Sequence, residues 1–115
     1  MDSLMDKDVR VKLVGFKLVT IICEPDLKNS VLQMSQDLGA TGFTMAEVSG
    51  QGNGEKSSGE IPDLKMKIEI VLEPGIAIKL MESLAETFFK NYSVITYSTD
   101  INVLRPEKFE AEARG

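Results

Sequence analysis

The sequence contains no histidine and only one cysteine. Zinc sites that need imidazole, nucleophiles activated by a histidine base and disulfides within the chain are therefore excluded. No apolar run approaches the roughly 20 residues that span a bilayer, and the acidic start at residues 1–6 does not resemble a signal peptide. These absences predict a cytoplasmic protein that is not an enzyme and holds no metal.

Negative charge outweighs positive charge along the chain. Eighteen acidic residues against 13 basic ones give a net charge of −5 and a pI near 4.7. Such a chain repels polyanions, so neither nucleic acid nor an anionic membrane is expected as a partner. The length of 115 residues, with 43% apolar residues, is typical of one globular domain.

Apolar periodicity predicts alternating strands and helices. In the run 16–23 both odd- and even-numbered positions carry apolar residues, which is typical of a strand covered on both faces. In the run 65–72 apolar and polar residues alternate strictly until its end, which is typical of a strand with one buried face. Both predicted helices start near a proline and carry apolar residues at intervals of three and four. The predicted strands are 16–23, 43–48, 65–72 and 92–98, with a short fifth over 101–104, and the predicted helices are 24–38 and 74–89.

The resulting order, β-α-β-β-α-β, predicts a ferredoxin-like α+β sandwich with an antiparallel sheet and two helices on one face. Both parities of the first strand are apolar, so the second sheet face is also expected to be apolar and to form a subunit interface. The expected organisation is an N-terminal extension over 1–13, the domain over 14–104, a loop over 49–64 and a tail over 105–115.

The loop is rich in glycine, and its glycines at alternate positions in 50–54 allow successive backbone N–H groups to converge on an anion. The pattern satisfies neither the dinucleotide nor the Walker motif, because no helix follows it and Lys56 is preceded by Glu55. Lys65 and Lys67, on one strand face, add positive charge. Anion binding and a merely flexible loop both remain open on this spacing alone.

Two stretches, GATGFTMAEVSGQG at 39–52 and LKMKIEIV at 64–71, resemble the PII signalling proteins. The resemblance covers most of residues 14–105. It implies a trimeric ferredoxin-like architecture and adenine nucleotides bound in clefts between neighbouring subunits. It also implies that the loop over 49–64 is the T-loop, which reports the bound ligand to a partner protein.

Departures from the nitrogen-regulating PII proteins are as informative. The loop has no tyrosine to be modified, and Gly54 stands where those proteins place the glutamine that helps to hold 2-oxoglutarate. The short turn at 90–92 lacks their phosphate-binding glycines and lysines, so ADP or AMP is expected rather than ATP. Residues 56–59 and 91–97 look instead like the PII-like proteins of inorganic-carbon uptake, the SbtB and carboxysome-associated proteins.

This branch implies ADP or AMP as regulatory ligand, with bicarbonate as a second ligand and no metal. It also implies a homotrimer that contacts a bicarbonate transporter or a carboxysome-related protein through the T-loop. Two alternatives stay open: a cyclic-AMP-responsive SbtB-type regulator and a trimeric metal-handling protein of the CutA kind. The implied nucleotide-binding residues are Ile22, Gly42, Thr44, Gly50, Gln51, Gly52, Lys65, Val71 and Arg105, and the implied bicarbonate-binding residues are Lys56, Ser57, Ser58 and Gly59.

Overall fold

The computed structural model of the protein describes residues 12–50 and 63–111. The elements follow the predicted order, and the bounds are β1 Val14–Cys23, α1 Lys28–Asp37, β2 Thr44–Gly50, β3 Asp63–Leu72, α2 Pro74–Phe88 and β4 Ile95–Val103. Short 3-10 turns at Pro25–Leu27 and Pro106–Lys108 precede α1 and follow β4. No helix in these described ranges is long and apolar enough to cross a bilayer.

The four strands form one antiparallel sheet in the order β2-β3-β1-β4. Both helices contribute residues to a single core on one face of this sheet. This is the predicted ferredoxin-like sandwich. Its register pairs Leu18 on β1 with Val71 on β3, and Thr44 on β2 with Glu69 on β3, which fixes where the candidate site residues lie.

The core explains why β1 is apolar at both parities. Val19, Ile21 and Cys23 are fully buried in the helix-facing core, whereas alternation turns Leu18 and Ile22 to the opposite face. The strict alternation predicted over 65–72 is confirmed, because every second residue from Met66 to Leu72 lies in the same core. The main partners in this core are Met66, Ile68, Ile70 and Leu72 of β3, Val31 of α1, and Ala77, Leu80, Leu84 and Phe88 of α2.

The face away from the helices presents apolar side chains to the outside of the single chain. Ile95 and Tyr97 of β4 pair with Ile22 and Thr20 of β1, and they are 49% and 46% exposed. Leu18 and Ile22 are only half-buried on this face. An apolar sheet face of this kind is typical of an interface with other subunits.

Several predicted boundaries differ from the structure. β2 and β3 stay paired up to Gly50 and Asp63, so both ends of the predicted loop 49–64 belong to strands, and residues 51–62 lie outside the described part of the chain. The predicted break between a fourth and a fifth strand is wrong. β4 is continuous because each of its residues pairs with β1, including Asp100, whose carboxylate forms an ion pair with Lys17.

The starts of two elements also differ from the prediction. The first helix begins with a 3-10 turn, and its α-helical part starts only at Lys28. β4 starts at Ile95 rather than at residue 92, because the chain first completes the end of α2. There the Tyr92 N–H donates to the Phe88 carbonyl at 2.9 Å, and the two rings pack edge to face.

Candidate functional site

A small pocket lies where the chain enters β2 and leaves β3. Its volume is about 170 Å³. Three residues that the resemblance assigned to nucleotide binding, Gly42, Thr44 and Val71, meet there. Among the described residues, the lining consists of Thr41, Gly42, Phe43, Thr44, Glu69, Val71 and Phe109.

The turn after α1 leads directly to the residues that line this pocket. Gly39, with a φ of 104°, adopts the left-handed conformation that ends helices, and its N–H donates to the Gln36 carbonyl at 2.9 Å. The Ala40 N–H donates to the Ser35 carbonyl at 3.0 Å, which closes the turn. A Cβ at Gly42 would meet no atom within 4 Å, so the backbone there is open to an approaching ligand.

The pocket offers groups that suit a nucleobase and a ribose better than a phosphate. The Thr41 and Thr44 hydroxyls can donate or accept hydrogen bonds, and the Glu69 carboxylate accepts them. Among the described residues no lysine or arginine lines this pocket. The Lys67 Nζ lies 3.9 Å from a Glu69 oxygen, but both side chains are over a third exposed, so this pair contributes little.

Other predicted residues lie at the opposite end of the sheet. Lys65 is only 8% exposed and lines a second pocket of about 450 Å³ together with Glu24, Pro25, Asp26, Asp63, Leu64 and Ser93. Gly50 is in the same region, because it pairs with Asp63. Ile22 pairs with Lys67 and is therefore four positions along β1 from Leu18, the partner of Val71. The acidic surroundings of Lys65 were not anticipated from the sequence.

These two ends are far apart in one chain. Six residue steps separate Lys65 from Val71 on β3, which corresponds to roughly 20 Å at the rise of a strand. Val71 and Lys65 accordingly line two different pockets. A single chain therefore does not bring the predicted nucleotide-binding residues together in one pocket.

Arg105 begins a tail segment that returns to the first pocket. Its side chain is 70% exposed, and its Nε lies 3.8 Å from a carboxylate oxygen of Glu107. The Thr41 hydroxyl donates to the Lys108 carbonyl at 2.6 Å. The Phe109 ring packs edge to face on Phe16, with 6.1 Å between ring centroids.

Thr41, Phe43, Glu69 and Phe109 line the pocket but were not among the predicted site residues. The sequence does carry a signal for Phe109, since it is the one aromatic residue in an otherwise polar tail. Thr41 and Phe43 flank Gly42 within the motif that carried the resemblance. The remaining predicted site residues, Gln51, Gly52, Lys56, Ser57, Ser58 and Gly59, lie outside the described residues.

The single cysteine is not a reactive group. The pKa of the Cys23 thiol is raised above the ordinary value of 9.0. The main cause is burial of the thiol, the nearby Glu24 carboxylate adds to the increase, and the Lys65 ammonium group opposes it. The thiol is therefore neutral near pH 7 and packs as a small apolar side chain. Within the described ranges, no group of three or more cysteine, aspartate or glutamate residues is arranged to hold a metal ion.

Comparisons with known proteins agree on the family. Solved structures similar to the chain include a protein of Thermus thermophilus described as PII-like and signalling, with 31% identity, 85% of this chain and 98% of that chain covered, and a TM-score of 0.73. CPII from Thiomonas intermedia, bound to ADP and bicarbonate, has 28% identity, coverage of 86% and 98%, and a TM-score of 0.76.

A second CPII structure, bound to ADP, AMP and acetate, has 27% identity, coverage of 87% and 99%, and a TM-score of 0.76. A comparison with curated protein sequences found no match. The model of the family described as "Nitrogen regulatory protein P-II" matches residues 16–108, well over half of the chain. The chain therefore belongs to the PII family.

Proposed function

We propose that this PII-like signalling protein binds ADP or AMP, together with bicarbonate, in clefts between the subunits of a homotrimer. The observation that carries the proposal is the pocket in which Gly42, Thr44 and Val71 meet beside the Glu69 carboxylate. The CPII structures with ADP, AMP and bicarbonate support the choice of ligands. The protein acts by binding and not by catalysis.

Division of the site between two ends of the sheet is the physical reason for a cleft between subunits. The Thr44 end offers hydroxyls and a carboxylate, which suit the base and ribose. The Lys65 end offers an ammonium group and the Gly50 backbone as the groups that we propose to hold phosphate, beside the acidic residues of that pocket. Because roughly 20 Å separate these ends in one chain, one subunit supplies the first end and its neighbour the second.

The apolar sheet face supplies the surface on which such subunits associate. Ile95 and Tyr97 are about half exposed in the single chain, and they adjoin the half-buried Ile22. Covering these side chains stabilises an assembly by about 25 cal/mol for each Å² of apolar area removed from water. The assembly we propose is a homotrimer.

Signalling follows from the position of the Lys65 end. Gly50 and Asp63 are the last paired residues before the segment 51–62 and the first after it. A ligand at this end that bound two conformations of the protein with different affinity would shift their populations, which is sufficient for signalling. We assign the T-loop, residues 49–64, to contact with a bicarbonate transporter or with a carboxysome-related protein.

Calorimetry tests the proposal. AMP, ADP, ATP and cyclic AMP are each titrated, with and without bicarbonate, into the wild type, Arg105→Ala and the control Lys79→Ala. Lys79 is an exposed lysine on α2. We expect ADP or AMP to bind with the highest affinity and bicarbonate to increase that affinity. By linkage, the bound nucleotide should increase the affinity for bicarbonate by the same factor.

Loss of the Arg105 guanidinium should weaken nucleotide binding roughly 10- to 100-fold, the value of a hydrogen bond to a charged group. The Lys79 variant should bind as the wild type does, because it removes the same charge elsewhere. Tightest binding of cyclic AMP would favour the cyclic-AMP-responsive regulator instead. Absence of binding by all four nucleotides would contradict the proposal.

A further inference from the structure

The C-terminal tail contacts residues at or next to the ends of several strands of the sheet. It leaves β4 at Arg105, packs Phe109 on Phe16 of β1 and receives a hydrogen bond from Thr41, which precedes β2. The Ala111 N–H then donates to a carboxylate oxygen of Glu73, directly after β3, at 3.3 Å. The segment 106–111 is thus anchored near three of the four strands.

This course places the tail against the candidate base and ribose pocket. Phe109 forms part of the pocket lining, and the Thr41 hydroxyl on the rim already donates to the Lys108 carbonyl. The remaining volume of about 170 Å³ is below the roughly 300 Å³ at which ordinary ligand pockets begin. The docked tail therefore narrows the part of the proposed site that this subunit supplies.

We propose that the segment 106–111 is an internal competitor for the nucleotide pocket, with Phe109 as the side chain that occupies it. This inference rests on the proposed nucleotide site. Binding of the nucleoside requires the Phe109 ring to leave Phe16 and the Lys108 carbonyl to release the Thr41 hydroxyl. The apparent affinity is therefore the intrinsic affinity reduced by the fraction of molecules in which the tail is undocked.

Release of the tail also affects Arg105. This residue begins the same segment and pairs with Glu107 while the tail is docked. Undocking moves the Arg105 guanidinium with the chain, so the motion that opens the pocket also repositions this residue of the proposed nucleotide site. The tail thus raises the nucleotide concentration at which half of the sites are occupied.

Substitution of the ring tests the competition. Phe109→Ala, Phe109→Leu and the control Phe89→Ala are titrated with ADP beside the wild type. Phe89 is 49% exposed at the end of α2 and lines none of the pockets described above. Because an edge-to-face aromatic contact favours docking by a factor of roughly 2–10, Phe109→Ala should bind ADP about 2- to 10-fold more tightly.

The ADP affinity of Phe109→Leu should lie between those of Phe109→Ala and the wild type. The ADP affinity of Phe89→Ala should equal that of the wild type. Equal ADP affinity in all four proteins would overturn the competition while leaving the nucleotide site standing. Weaker binding by Phe109→Ala would also overturn it, since the ring would then be part of the site. Absence of binding in every protein would refute the proposed function, and the competition with it.

The absence of tryptophan allows a direct measurement of tail position. In Phe109→Trp the new side chain is the only indole, and its emission reports whether it is buried against Phe16 or in water. Saturating ADP should shift the emission to longer wavelength, and the shift should follow the binding curve. An unchanged emission, or a shift to shorter wavelength, would show that the ring stays or closes over the ligand, and would overturn the proposal.

Discussion

Replacement of Gly42 by alanine separates the structural role of this residue from its proposed role in binding. An added Cβ meets no atom within 4 Å in the free protein, and Gly42 does not have the positive φ that would strain alanine. The substitution should therefore preserve the fold. It should even raise the free energy of unfolding by about 0.4–1 kcal/mol, because alanine restricts the unfolded chain.

The expected effect on nucleotide binding is the opposite. In the proposed complex the ribose approaches the Gly42 backbone, so the new methyl group occupies space that the ligand needs. Insertion of a methyl group into a packed contact costs about 1–3 kcal/mol. This corresponds to ADP binding that is about 5- to 150-fold weaker.

Gly75→Ala is the matched control. Gly75 lies in the first turn of α2 and is not among the residues that line the pocket, and an added Cβ there also meets no atom within 4 Å. Urea unfolding and ADP calorimetry are run on both variants at one protein concentration. Gly75→Ala should gain stability and bind ADP normally. Normal ADP binding by a stably folded Gly42→Ala protein would refute the proposed approach of the ligand to this backbone.

Three further substitutions test the core, the apolar face and the buried thiol. Leu84→Ala removes a fully buried side chain of the helix layer, so the free energy of unfolding measured in urea should fall by about 2–5 kcal/mol. A decrease below about 1 kcal/mol would contradict the assignment of Leu84 to the core. Ile95→Lys should give a folded monomer in sedimentation velocity, because Ile95 is already 49% exposed in the single chain; a persisting trimer would contradict the assigned interface. Since the pKa of Cys23 is raised in the folded state above its ordinary value of 9.0, the folded chain retains the thiol proton longer, and stability should fall as pH rises above about 9. Cys23→Ala should lack this part of the pH dependence, and identical profiles would contradict the burial of the thiol.

The core and the order of the elements could be predicted from the sequence because they depend on local periodicity. The alternation over 65–72 and the three- and four-residue spacing in α2 each identify a buried face without knowledge of its partner. The continuity of β4 could not be predicted in this way. Its middle residues, around Asp100, are polar and exposed, and only their pairing with β1 keeps them extended.

The sequence predicted three of the described residues that line the candidate pocket, but not the arrangement of the predicted residues. The motif at 39–52 identified Gly42 and Thr44, whereas the register alone shows that Lys65 lies at the far end of the sheet. The docked position of Phe109 also depends on tertiary contacts between residues distant in sequence, such as the one with Phe16. Such contacts leave no periodic signal in the chain.

Native mass spectrometry of the full chain with ADP and bicarbonate tests the central claim most directly. The claim is that one nucleotide site requires the Thr44 end of one subunit and the Lys65 end of its neighbour. The account predicts a homotrimer that carries up to three ADP molecules, and monomers that carry none. ADP bound stoichiometrically to the monomer, or a trimer without ADP at saturating nucleotide, would contradict it.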